Sequence, residues 1–263
     1  MYEFAYHRPT SLAEAARLAK GDEAKIMAGG MTLIPTLKQR LAQPAEIVDL
    51  GALRDLSGIR VGSGTITIGA TTPHGQVASS AELQRAIPAL AHLADGIGDP
   101  QVRNRGTIGG SLANNDPAAD YPAAALGLGA TIETDRRRIA ADDFFKGLFE
   151  TALEPGEIIT AVHFPIPEKA GYSKFPHPAS RYAVIGVFVS KGPQGVRVAV
   201  TGAGNGVFRV KAMEDALAKR WSADALDGIS VSADECNGDI HASSEYRAHL
   251  IGVMAKRAMQ AAG

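Results

Sequence analysis

The chain has 263 residues, of which 45% are hydrophobic and 21% are charged, and this composition predicts a folded protein with a sizeable core. Its 27 basic and 28 acidic residues leave a formal net charge of −1, and the sequence has no long basic stripe, which argues against a nucleic acid partner. The single cysteine, Cys236, excludes an internal disulfide and an iron–sulfur cluster held by several thiolates.

The N-terminal residues include an acid and lack an apolar core, so we expect no secretory signal. No apolar run approaches the ~18 residues of a membrane-spanning helix. The seven histidines never pair at the spacing of one helical turn, and the sequence contains no HExxH motif, so we expect no metal site. These features predict a cytoplasmic protein without a transmembrane segment. Any redox chemistry would then come from an organic cofactor.

The first fifty residues predict a βα-turn-β unit. A capping box at Ser11–Glu14 signals the start of a helix, and two adjacent glycines separate the next predicted strand and helix. The predicted elements are a helix from Ser11 to about Lys20, a strand at Lys25–Ala28, a helix from Thr32 to about Leu41 and a strand at Glu46–Leu50.

The pattern changes from Ile59 onward, where strands and helices alternate less regularly. Pro165 and Pro167 then interrupt the chain, and Glu168–Gly171 is predicted to be a linker, so we divide the chain near residue 170. The predicted elements of this part are a hairpin of Ile59–Val61 and Thr65–Ile68, a helix around Glu82–Leu93, a small-residue stretch at Ala118–Leu128, and strands at Ala130–Glu133 and Ile158–Phe164.

The last ninety residues predict a smaller domain of strands followed by helices. Strands are expected at Tyr182–Val189 and Val196–Val200, then a helix at Val210–Trp221 and an amphipathic helix from about Ser243 to Gln260. Between them, Thr201–Gly206 imitates a dinucleotide-binding glycine motif. The spacing is wrong, because Val207 stands where a glycine or alanine is needed, so we interpret this segment as a glycine-rich connection.

Two short segments, Ala28–Thr32 and Thr107–Ser111, share one sequence pattern, in which a short apolar run ends in paired glycines beside a hydroxyl residue. Glycine allows close backbone approach, and successive N–H groups in such turns form an anion-binding nest. Two nests in one domain favour a ligand with two linked phosphates, a dinucleotide. Each segment is also compatible with an ordinary tight turn.

The same segments carry a family resemblance. Ala28–Pro35, Thr67–Thr72 and Gln101–Ser111 occur in this order, and the third continues to Asp120. The chain strongly resembles the FAD-binding medium subunit of the molybdenum hydroxylases, the family of xanthine dehydrogenase and aerobic carbon monoxide dehydrogenase. The likeness covers essentially the whole chain, and Arg103–Gly110 is its most specific part.

The resemblance implies an α+β fold in two domains. Residues 1–170 would form a p-cresol methylhydroxylase-type FAD-binding domain with subdomains of about 1–57 and 58–170. Residues 171–263 would form the smaller α+β C-terminal domain of the carbon monoxide dehydrogenase flavoproteins.

The resemblance also assigns residues to FAD. Asp120 would bond ribose or ribityl hydroxyls, and taken alone it is also compatible with a helix N-cap beside Tyr121 and Pro122. Ile97 would pack on the cofactor, and Lys174 and Tyr182 would approach the flavin ring. The pyrophosphate would be held by main-chain N–H groups, with added hydroxyl donors from Thr32, Thr107 and Ser111, in the two segments Ala28, Gly29, Gly30, Met31, Thr32 and Thr107, Ile108, Gly109, Gly110, Ser111. Met31 stands where many relatives carry histidine or another polar residue.

The function implied is that of an electron-transferring oxidoreductase subunit that contains no general acid or base indispensable to substrate hydroxylation. Substrate would be oxidised at a molybdenum cofactor in a large subunit. Electrons would pass through two 2Fe–2S clusters of a small subunit to FAD here, and then to a quinone, a nicotinamide or another acceptor. Carbon monoxide is the first expectation for the substrate, while aldehydes, purines and other N-heterocycles stay open. The alternatives are a non-catalytic assembly subunit and a self-contained flavin oxidase.

Overall fold

The computed structural model describes residues 1–21 and 23–263, and their N-terminal part forms a small parallel sheet. The side chain of Ser11 accepts the N–H of Glu14, and the Glu14 carboxylate accepts the N–H of Thr10, which confirms the helix start predicted there. The strands lie in the order β1-β3-β2. The elements of this N-terminal subdomain are β1 (Ala5–His7), α1 (Leu12–Leu18), β2 (Ala24–Met27), α2 (Leu33–Lys38) and β3 (Glu46–Asp49).

The second subdomain packs helices on one face of a five-stranded antiparallel sheet. In chain order its elements are β4 (Ile59–Val61), β5 (Thr65–Gly69), α3 (His74–Ser79), α4 (Ala81–Ala86), α5 (Pro88–Asp95), α6 (Pro100–Arg105), α7 (Ile108–Asn114), α8 (Tyr121–Leu128), β6 (Thr131–Thr134), β7 (Arg138–Ala140), α9 (Ala141–Phe144), β8 (Phe145–Gly147), β9 (Glu150–Thr151) and β10 (Ile159–Pro165). The sheet has the order β4-β5-β10-β6-β7, and β8 and β9 form a separate hairpin. The helix predicted over Glu82–Leu93 is two helices, because Ile87 precedes Pro88 and takes a non-helical conformation.

The C-terminal domain is a four-stranded antiparallel sheet with two helices. Its elements are β11 (Lys169–Pro176), β12 (Ala183–Gly192), β13 (Gly195–Thr201), β14 (Phe208–Arg209), α10 (Lys211–Lys219) and α11 (Ser244–Ala262), with the strands in sequential order. The linker expected at Glu168–Gly171 is wrong, because β11 begins at Lys169 and pairs with Lys191 of β12. Only residues 166–168 separate β10 from β11.

The two domains share apolar and ionic contacts. Phe188 and Tyr172 of the C-terminal domain belong to the core cluster of the second subdomain, and Phe188 lies so close to Gly127 that a Cβ there would stand 2.9 Å from its ring. Asp142 accepts from Arg197 at 2.9 Å and from Arg209 at 3.0 Å. The seam between the domains is therefore packed. Among the described residues, no helix is both long and apolar enough to cross a membrane.

Candidate functional site

The two glycine segments predicted from the sequence meet in space. A Cβ on Gly29 would lie 1.8 Å from the carbonyl oxygen of Arg105 and 3.1 Å from the Cα of Gly106. Only glycine permits this approach, since no side chain fits between the two backbones. The first loop (28–32) therefore lies directly against the residues that lead into residues 107–111, which form the N-cap and first turn of α7 and which we call the second loop.

The first loop presents free main-chain donors. Gly30 has a φ of 75°, which places this turn in the left-handed region that favours glycine. In the described part of the chain, none of the amides of residues 29–33 donates a hydrogen bond to a protein acceptor. Five consecutive unpartnered N–H groups at a turn form a strong nest for an anion. The Met31 amide is one of them, so the departure from a polar residue at this position affects only the side chain.

The second loop uses its amides inside the protein. Ile108 donates to the Thr72 carbonyl at 3.3 Å, and Gly109 donates to the Ala70 carbonyl at 2.8 Å. Gly110 donates to the Thr107 hydroxyl at 3.2 Å, which makes Thr107 the N-cap of α7. The amides of Ile108, Gly109 and Gly110 are therefore already paired within the chain, whereas the sequence-based expectation had them donate to a pyrophosphate. The hydroxyls of Thr107 and Ser111 keep protons that can be donated to a ligand.

His74 is buried and packs against Gly106, directly before the second loop. The backbone N–H of His74 donates to the Gly106 carbonyl at 2.9 Å, and its Nε2 would lie 2.5 Å from a Cβ on Gly106. Burial, with a smaller contribution from Arg103, lowers the pKa of His74 to about 4. The ring is therefore neutral at pH 7, and it packs 5.2 Å from the ring of Tyr121. Sequence reasoning missed His74, since a histidine after a proline has no pattern that marks it.

Asp120 is a buried carboxylate that joins the two domains. Lys174 Nζ lies 2.9 and 3.0 Å from its two carboxylate oxygens, and the Tyr172 hydroxyl donates to it as well. Burial raises the pKa of Asp120, and Lys174 and Tyr172 oppose that rise. Asp120 stands at the N-cap position of α8, but its side chain makes no capping bond to that helix and is paired with Lys174 and Tyr172 instead.

The pairing of Asp120 with Lys174 brings together two residues that were predicted separately. Tyr172 was missed, although Tyr172 and Lys174 stand two residues apart on β11 and therefore share one face of the sheet. That alternation is the sequence signal that would have included Tyr172.

Three cationic side chains hold the turn that carries Ile97. Lys174 donates to the Gly96 carbonyl at 2.9 Å, Arg103 donates to the carbonyls of Ile97 and Gly98 at 3.1 Å, and Arg181 donates to the Gly98 carbonyl at 3.2 Å. Lys174 and Arg181 belong to the C-terminal domain, so both domains fix the position of this half-buried isoleucine.

Tyr182 lies on the same seam. It precedes Ala183, whose N–H donates to the carbonyl of Ala118 just beyond α7. Burial and the charges of Asp116 and Asp120 raise the pKa of the Tyr182 hydroxyl, so this group is a neutral donor at pH 7.

The donor set suits a flavin dinucleotide. The free amides of the first loop and the hydroxyls of both loops match two linked phosphates. The acceptor-only Asp120 matches sugar hydroxyls, and Ile97 and Tyr182 offer surfaces to a ring. Within the residues that the structure describes, no three histidine, cysteine or acidic side chains group as metal ligands.

Comparison with known proteins gives matches over the whole length. Residues 2–167 match the family described as the FAD binding domain in molybdopterin dehydrogenase. The carbon monoxide dehydrogenase medium chain of Hydrogenophaga pseudoflava is 34% identical over 98% of this chain and 96% of the relative. The nicotine 6-hydroxylase medium subunit of Paenarthrobacter nicotinovorans is also 34% identical, with the same coverage. Among solved structures, reconstituted CO dehydrogenase from Oligotropha carboxidovorans superposes with a TM-score of 0.91 at 34% identity, covering 99% of this chain and 98% of that chain.

Proposed function

Because the chain belongs to the FAD-binding medium subunits of the molybdenum hydroxylase family, we propose that it receives electrons from the 2Fe–2S clusters of a small partner subunit and passes them to an external acceptor. The matches confirm the family, the FAD cofactor and the α+β fold expected from the sequence. The chain is thus an oxidoreductase subunit. The substrate, the acceptor and the partner subunits of its own assembly belong to the proposal.

The observation that carries the proposal is the run of five unpartnered amides at residues 29–33, which lies against Arg105 and Gly106, the residues that lead into the second loop. We assign the diphosphate to the amides of residues 29–33 and to the hydroxyls of Thr32, Thr107 and Ser111. Asp120 would accept from the sugar hydroxyls of the cofactor. When bound, FAD supplies the capacity to accept electrons from one-electron centres and to release them singly or in pairs.

The residues expected at the ring act by position. Three cations hold the turn that carries Ile97, so this side chain would pack on the ring, and Tyr182 would approach it from the C-terminal domain. Asp120 holds the Lys174 ammonium group in place and partly neutralises its charge, which would lie near the ring. No residue of this chain is assigned a proton transfer in substrate hydroxylation, since the substrate site is proposed to lie in the large subunit.

Titration of the purified chain with FAD tests the cofactor site. We expect the visible flavin absorption to shift on binding and flavin fluorescence to be quenched, with one FAD per chain. Asp120→Asn should weaken binding, whereas Gly75→Ala should not, because a Cβ on Gly75 meets only ordinary contacts at 3.5 Å or more. A chain that stays colourless under all conditions would favour the alternative of an assembly subunit. Turnover of substrate by the isolated chain would favour the self-contained oxidase.

Carbon monoxide is the proposed substrate of the assembly, supported by full-length similarity to a carbon monoxide dehydrogenase medium chain. The equal identity to a nicotine 6-hydroxylase medium subunit supports an N-heterocycle as the second candidate. Reduction of an artificial dye by the purified assembly, with carbon monoxide or with a pyridine as the only electron source, distinguishes the two.

A further inference from the structure

Four large apolar side chains lie exposed at one end of the seam between the domains. Leu148 and Phe149, at the tip of the β8–β9 hairpin, are 55% and 57% exposed. Ile240 is 95% exposed on the loop before α11, and Tyr182 is 45% exposed. We call these four residues the seam face. Their exposure costs solvation free energy, and clustered exposure of this kind marks interaction sites.

The loops that carry the seam face touch one another. A Cβ on Gly206 would lie 3.9 Å from the carbonyl oxygen of Gly147 in the hairpin. In the same glycine-rich connection, the Ala203 carbonyl accepts the N–H of Asn237 at 2.7 Å. A cavity of about 220 Å³ is lined by Tyr182, Gly204 and His241, so Tyr182 lies beside the loop of Ile240. The seam face is therefore one surface built by both domains. The glycine-rich segment Thr201–Gly206 links its parts.

The hairpin tip is held in a conformation that its sequence disfavours. Phe149 has a φ of 54°, in the left-handed region where a bulky residue is an outlier. Asn115 supports the tip by donating both amide hydrogens, to the carbonyls of Gly147 at 2.9 Å and of Glu150 at 2.8 Å. A strained and exposed aromatic that a buried side chain holds in place points to a function, since glycine or asparagine would be more stable there.

The support of the hairpin also connects it to the cofactor site. Asn115 ends α7, and the other end of this seven-residue helix is the second glycine loop. At 1.5 Å per residue, α7 is only about 10 Å long. Tyr182, at the other border of the seam face, is a residue assigned to the flavin ring. A partner seated on this surface is thus held next to the cofactor.

We propose that the seam face is the docking surface for the iron–sulfur partner subunit. The inference rests on the proposed function, because an electron donor must approach the ring end of the cofactor. The second group of exposed apolar residues, which includes Tyr6 and Leu41, lies on the N-terminal subdomain, and that subdomain contributes no residue expected at the ring. Rigid, preorganised aromatic anchors are typical of the few residues that dominate an interface.

The test uses the intact assembly isolated from its native host through an affinity tag on this chain, with iron and FAD measured per chain. Phe149→Asp and Ile240→Asp should each lower the iron content at least tenfold at matched protein concentration, because a charge is placed in the centre of the interface. FAD per chain should stay unchanged. Leu41→Asp is the matched control, since Leu41 is 74% exposed on the other group and should keep full iron.

A second variant separates docking from folding. Phe149→Gly should raise the melting temperature of the chain, because it relieves the left-handed backbone, while it lowers the iron content like Phe149→Asp. Full iron in all three seam-face variants would overturn the proposal, as would equal loss in Leu41→Asp. Self-association of the wild-type chain that Phe149→Asp abolishes would assign the surface to a second copy instead. A wild-type assembly without iron would overturn the proposed function itself.

Discussion

The two glycine loops look alike in sequence and use their backbones in opposite ways. In the first, residues 29–33 leave their amides free for a ligand, and Gly30 provides the left-handed turn. In the second, Ile108 and Gly109 donate to the carbonyls of Thr72 and Ala70. Paired glycines thus allow close approach of either a ligand or another segment of backbone.

The same distinction explains why both loops need glycine. Gly29 is required by the carbonyl of Arg105, and Gly109 is required by Ala70, whose Cβ would lie 2.6 Å from a new Cβ. At both positions, the need for glycine is explained by a contact within the chain. The first loop lies against Arg105 and Gly106, which lead into the second loop, and keeps its own amides free.

The largest effect is expected from Gly109→Val. The added side chain collides with Ala70 and displaces the buried bond between Gly109 and the Ala70 carbonyl, so we expect a loss of about 3 kcal/mol or more in the free energy of unfolding. Urea unfolding of the FAD-free chain measures it, with Gly75→Ala as the control. An unchanged stability with a loss of FAD binding would show that the position faces the cofactor.

Hydrogen exchange tests the comparison directly. Without FAD, the amides of residues 29–33 should exchange rapidly, whereas those of Ile108 and Gly109 should be protected. At FAD concentrations of about 100 times its dissociation constant, protection of the first loop should rise by up to about 100-fold. Equal protection of both loops in the FAD-free chain would contradict the division of roles.

Acidification should weaken the second loop through His74. Its folded pKa of about 4 lies below the unfolded value of 6.5, so the unfolded state binds the proton first and stability falls as pH decreases from 6.5 to 4. We expect a loss of about 2–3 kcal/mol at pH 4 relative to His74→Gln, in which this titration is absent. The readout is the free energy of unfolding against pH for both chains. Parallel curves would rule out a buried neutral histidine.

The smallest effect distinguishes the two loop threonines. Thr107 accepts the Gly110 amide as an N-cap, so Thr107→Ala should cost about 1 kcal/mol of stability in the FAD-free chain. Thr32 makes no such bond, and Thr32→Ala should change stability by less than about 0.3 kcal/mol while it weakens FAD binding. Thermal unfolding without FAD, followed by FAD titration, checks both. A similar loss of stability in the two variants would erase the contrast.

Much of the site was predictable because its signals are local or belong to a recognisable motif. The capping box at Ser11, the glycine turns and the alternating strands each depend on neighbouring residues, so the sequence specifies them. The pairing of Asp120 with Lys174 was predicted only in part, because both residues were expected at the cofactor while their contact with each other was not. Tyr172 and His74 were missed, since their importance comes from groups about 50 and 30 residues away along the chain.

The linker expected at Glu168–Gly171 shows the same limit of prediction from neighbouring residues. Two prolines and a glycine indicate a break, and the break exists, but it is only three residues long. Lys169 joins a strand because Lys191 of β12 lies opposite and pairs with it. Strand pairing is a contact between distant segments, which local composition does not contain.

The family, the cofactor and the positions of the turns could be identified from the residues alone, because glycine conformation and motif spacing are properties of short segments. Which amides are free for a ligand, and which charges are paired across the seam, depends on the packing of segments that are distant in sequence. Each buried N–H must find an acceptor, and that acceptor is supplied by whichever segment the fold brings near. The division of labour between two similar loops is therefore a property of the packed molecule.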